Sequence, residues 1–128
     1  MAQHKQVSEQ VTYEQADGVG IWSIEDMPKA LESGELEKGE EHFRDVAAQD
    51  SMAASVVEVG NAESLSKDVL DHINEQWTAL GEETGLDATA YVADGIGRLA
   101  ISNKNEAEGM ETKGFKDREA ALEWASEF

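Results

Sequence analysis

The sequence has no cysteine, a single proline, and only 10 Lys plus Arg against 28 Asp plus Glu. Without cysteine there is no thiol catalysis, no thiolate metal site and no disulfide scaffold. No apolar run approaches the roughly 20 residues of a membrane span, so no membrane-spanning segment is expected. Met1 to Gln10 is polar and lacks the apolar core of a secretory signal, which makes a cytoplasmic protein the expectation. The shortage of bases leaves no basic stripe of the kind nucleic-acid binding needs, so no nucleic-acid partner is expected. Aromatic residues are sparse at 6%. Trp22, Trp77 and Trp124 each fall on an apolar face and are assigned to packing.

What is present is acid on a foldable chain. The 128 residues carry a formal net charge of −18, and 40% of them are apolar. That length makes one domain, able to bury roughly two-thirds of its unfolded surface without a staple. The apolar content excludes a disordered acidic tail. Residues 1–97 hold 21 acids and five bases, and 98–128 hold seven acids and five bases. These acids fall between apolar positions, whereas a nucleic-acid mimic would set them in paired rows at phosphate spacing. At about 1 M salt the Debye length is about 3 Å, and such self-repulsion becomes tolerable. The charge therefore points to a folded protein adapted to high salt. The nearly balanced end, around Arg98, Lys104, Lys113, Lys116 and Arg118, is the candidate partner surface.

Residues 1–10 read as a flexible arm, and 11–128 as one domain. Val11 and Tyr13 alternate with polar residues, Val19, Ile21, Trp22 and Ile24 follow, and Ala16-Asp17-Gly18 is a turn signal. Together they predict a β-hairpin. Pro28 suits the break before a helical region that Gly34 and Gly39 keep from being one clean helix. Leu36, Phe43, Val46 and Ala47 share a face over its second half. Met52 to Val59 reads as a buried strand ended by Gly60-Asn61. Leu65, Val69, His72, Ile73, Gln76, Trp77 and Leu80 give the clearest helical stripe, capped by Ser64 or Ser66 and stopped by Gly81 or Gly85. Ala88 to Ala93 is a short strand, Ile96 to Asn103 a brief helix, and Met110 to Phe115 a strand. Asp117 caps a closing helix with Ala121, Trp124, Ala125 and Phe128 at 0, 3, 4 and 7. The order ββαβαβαβα implies an α/β domain. Its mixed, mainly parallel sheet has about five strands, with the first strand antiparallel at an edge.

In the C-terminal third stand, in order, Gly97-Arg98-Leu99, Glu108-Gly109-Met110-Glu111, and Phe115-Lys116-Asp117-Arg118-Glu119-Ala120-Ala121-Leu122-Glu123-Trp124. The element order and this ending resemble the STAS (SpoIIAA-like) domains, the fold of anti-sigma-factor antagonists. The resemblance implies a non-enzymatic regulatory or interaction module. Its partner would be another protein, or a small or lipophilic ligand held on the helix-covered face of the sheet. It also implies a switch serine at a helix start, where this chain reads Glu63-Ser64-Leu65-Ser66-Lys67. Ser64 and Ser66 are thus candidate phosphorylation or anion sites, favoured by the helix N-terminus, as well as ordinary caps.

Gly95-Ile96-Gly97-Arg98-Leu99-Ala100 has the G-x-G-x-x-[GA] form after a predicted strand. Gly95, Gly97 and Arg98 form either a nucleotide-binding turn or a plain strand-to-helix turn. His4, His42 and His72 are scattered without metal-ligand spacing, so neither metal nor other cofactor is expected. No Ser/His/Asp or G-x-S-x-G pattern occurs. An enzyme working through paired carboxylates would need a pocket that holds one buried acid.

Overall fold

The computed structural model describes residues 3–8, 10–16, 19–48, 53–60, 67–93 and 109–128. Within them lies one sheet of six strands in the order β1 to β6: Gln3–Gln6, Val11–Ala16, Val19–Ile24, Ala54–Val59, Ala88–Val92 and Glu111–Phe115. The pairs β1–β2 and β2–β3 are antiparallel, and β3 through β6 are mutually parallel. The class is α/β, with each strand laid down beside its predecessor.

The hairpin forms as its alternation requires. Tyr13 pairs with Trp22 and Val11 with Ile24, and these four side chains enter one core. The first strand of that hairpin is not the edge of the sheet. Gln3–Gln6, expected as part of an arm, pairs with β2 from Gln3↔Gln15 to Gln6↔Thr12. A Gln-His-Lys-Gln run shows no apolar alternation, but backbone pairing along a sheet edge asks for none.

Helix α1 spans Met27–Ser33 and α2 spans Glu35–Ala47. Asp26 caps α1 by accepting from the Lys29 amide at 3.2 Å, and Pro28 sits in its first turn. Gly34, at φ +84°, ends one helix and begins the next, in a backbone region that favours glycine. Gly39 does not interrupt α2. It is buried within the helix, where a Cβ would lie 3.1 Å from both methyls of Val11, so its bare Cα lets α2 settle onto β2.

The strongest stripe becomes one helix in three parts, α3. It is α-helical over Lys67–His72, π-helical over Ile73–Trp77 and α-helical again over Thr78–Thr84. Gly85 ends it, and Gly81 lies buried inside it. The closing helix α4, Arg118–Ala125, is capped by Asp117, which accepts from the Ala120 amide at 2.8 Å.

Two cores result. Helices α1, α2 and α3 cover one face, meeting Trp22, Ile24, Val57, Val59 and Tyr91. On the other face α4 lays Ala121 and Ala125 on Ala54, Val56, Ala88 and Ala90, small residues that admit a helix at close range. The turn residues Asp17 and Gly18, the serines Ser64 and Ser66, the glycine turn with Arg98, the brief helix and Lys104 lie outside the described residues.

Candidate functional site

Carboxylates are the most abundant chemistry in this chain, so their burial sorts structure from site. Among the described residues none is fully buried, and five are half-buried: Glu14, Asp26, Glu35, Glu40 and Glu58. Asp26 is the α1 cap. Glu35 stands in the first turn of α2, 3.8 Å from Lys38. Glu14 and Glu58 bind one arginine, Arg118. Its Nη1 donates to Glu14 at 2.5 Å and its Nε to Glu58 at 2.8 Å, while its Nη2 reaches Glu58 and Ser23. Glu58 holds the guanidinium above its ordinary pKa. This cluster ties α4 across β2, β3 and β4, and is a fastening for the second face.

Glu40 is different. It projects from α2 at the fourth position after Leu36 and the third before Phe43, inside the apolar stripe. With those residues and Gly39 it forms one wall of a half-open cavity on the helix-covered face. Trp22, Val57, Thr89 and Tyr91 come from the sheet, and Trp77, Leu80 and Gly81 from α3. Space open to the centres of water-sized molecules amounts to about 40 Å³. That is room for about three waters.

The walls are aromatic on two sides. Trp22 and Phe43 have centroids 4.6 Å apart, and Trp77 stacks on Tyr91 at 5.6 Å and 12°. Trp22 donates its indole N–H to His42 Nδ1 at 3.0 Å, which fixes the ring and places the His42 hydrogen on Nε2. Glu40 Oε2 accepts from Trp77 Nε1 at 2.8 Å and from His72 Nε2 at 2.6 Å. Two donors from one helix thus lock one carboxylate on another.

The π-helical turn makes this possible. His72 and Trp77 are five residues apart, which in an α-helix puts them about 140° apart around the axis. In a π turn the i→i+5 bond stacks such residues, and both reach the same oxygen. In its own segment the acids just before His72 in sequence are Asp68 and Asp71. The partner is instead Glu40, on a different helix. The signal that could have found Glu40 is a charged residue within the Leu36–Phe43 stripe. Nothing in the spacing of α3 announces a π turn.

Of the site residues read from sequence, Ser64, Ser66, Gly95, Gly97 and Arg98 lie outside the described residues. Among the described residues no group of three or more His, Cys, Asp or Glu could hold a metal. No helix among them is long and apolar enough to cross a membrane. Compared with family models, curated proteins and solved structures, the chain gave no significant match. The class defined here is an α/β domain with an aromatic-walled cavity beneath its helices.

Proposed function

We propose that this protein is a non-enzymatic regulatory or interaction module of the STAS/SpoIIAA-like kind, adapted to high salt. Its binding site is the cavity between the sheet and helices α2 and α3, and it takes a small, largely apolar molecule. The cavity carries the reading: a half-open space lined by aromatic and aliphatic side chains with few polar groups has the lining common to small-molecule sites. The sequential placement of β3, β4 and β5, joined by helical crossovers, supports the family reading.

The test is backbone amide NMR at about 2 M KCl, where surface charge is screened, with toluene, phenol, benzylamine and indole. The expected result is that at least one compound moves the amides of Gly39, Gly81 and Thr89. If none of the four moves them, the cavity is packing space and the reading fails.

A further inference from the structure

We infer that the ligand class of this cavity is a small organic cation, an apolar ring or short chain bearing one protonated amine. The inference rests on the binding role proposed for the cavity and specifies what enters it. Among the described residues that line the cavity, Glu40 supplies the only carboxylate. One of its oxygens, Oε2, takes both donors, and the other, Oε1, carries no hydrogen bond among the described residues. The side chain is 15% exposed. A carboxylate so placed keeps acceptor capacity for a donor arriving in the cavity, and a charged donor makes the stronger bond.

The rings of Trp22, Phe43 and Trp77 line the same cavity, and a ring face, being negative, favours a cation within about 6 Å. An anion would meet Glu40 and a chain of net charge −18. A neutral hydrocarbon would leave Oε1 unused. Among the described residues the other half-buried acids offer no such site: Glu14 and Glu58 are held by Arg118, Asp26 caps α1, Glu35 stands beside Lys38, and none of them lines the cavity.

The experiment titrates the full chain at about 2 M KCl with benzylamine, benzyl alcohol and phenylacetate, reading the amides of Gly39 and Thr89. Glu40→Gln, which keeps an acceptor for His72 and Trp77, is titrated alongside. Benzylamine is expected to bind at least about tenfold more tightly than benzyl alcohol, and phenylacetate not at all. In Glu40→Gln that preference should shrink to about twofold, with most of the loss falling on the amine. Equal binding of amine and alcohol by the wild type overturns the inference and leaves the binding role standing. So does a preference that persists in Glu40→Gln. If neither compound binds, the inference fails, and the toluene, phenol and indole titrations above decide whether the binding role survives. The wild-type comparison of the three compounds decides the matter even if the variant does not fold.

Discussion

Tyr13 shows how a single residue can be held against its own chemistry. Its ring packs on Trp22 at 4.7 Å and on His42 at 4.8 Å, and it is 5% exposed. Its hydroxyl has no partner among the described residues. Burial raises its pKa above the ordinary 10.0, because the phenolate would lose its water. Below pH 10 the hydroxyl is neutral in both states and its contribution is complete. Above pH 10 the unfolded chain ionises first, so stability falls as pH climbs through the folded value. Tyr13→Phe should be at least as stable at pH 7, since an unsatisfied buried hydroxyl costs about 1–3 kcal/mol. It should also lose stability less steeply above pH 10. Thermal melts of both proteins across that range check the sign, and a lower melting temperature for the variant at pH 7 would contradict it.

At the scale of elements, the joint between β3, α1 and β4 is the tightest. The Gly60 amide donates to Ile24 O at 2.8 Å, and the Met27 amide donates to Gly60 O at 3.0 Å. A Cβ on Gly60 would lie 1.9 Å from the Glu25 carbonyl oxygen, so Gly60→Ala must push backbone apart. A loss of at least about 2 kcal/mol in denaturant unfolding is expected. Gly60 was legible as the end of a strand, because glycine after a valine run signals a turn. That its missing side chain seats two other elements was not, since the atoms it makes room for come from residues 24 and 25. Gly39 misled for the same reason: local propensity marks it as a breaker, and contact with Val11 makes it a helix residue.

For the whole molecule the governing quantity is charge. The proposed adaptation to high salt predicts that circular dichroism and near-ultraviolet signals change as KCl falls from about 3 M to about 10 mM, because the Debye length grows from under 3 Å to about 30 Å. A fully folded, unchanged protein at the low end would remove that part of the proposal. The Arg118 cluster should resist this transition, since its attraction to Glu14 and Glu58 is screened less as the salt falls, while repulsion among the unpaired acids grows.

The elements that periodicity can specify were determined by the sequence alone. The hairpin, the buried strands, the long stripe of α3 and the Asp117 cap follow from side-chain spacing and capping chemistry, which act within a few residues. Tertiary structure decided what local spacing does not encode. Edge pairing is made by backbone, so Gln3–Gln6 became a strand without an apolar pattern. The site depends on a π turn that sets His72 beside Trp77, and on a carboxylate from another helix that meets both. Glu40 is one of 28 acids in the sequence. Only the packing of α2 against α3 separates it from the rest, because burial and partners are properties of three dimensions.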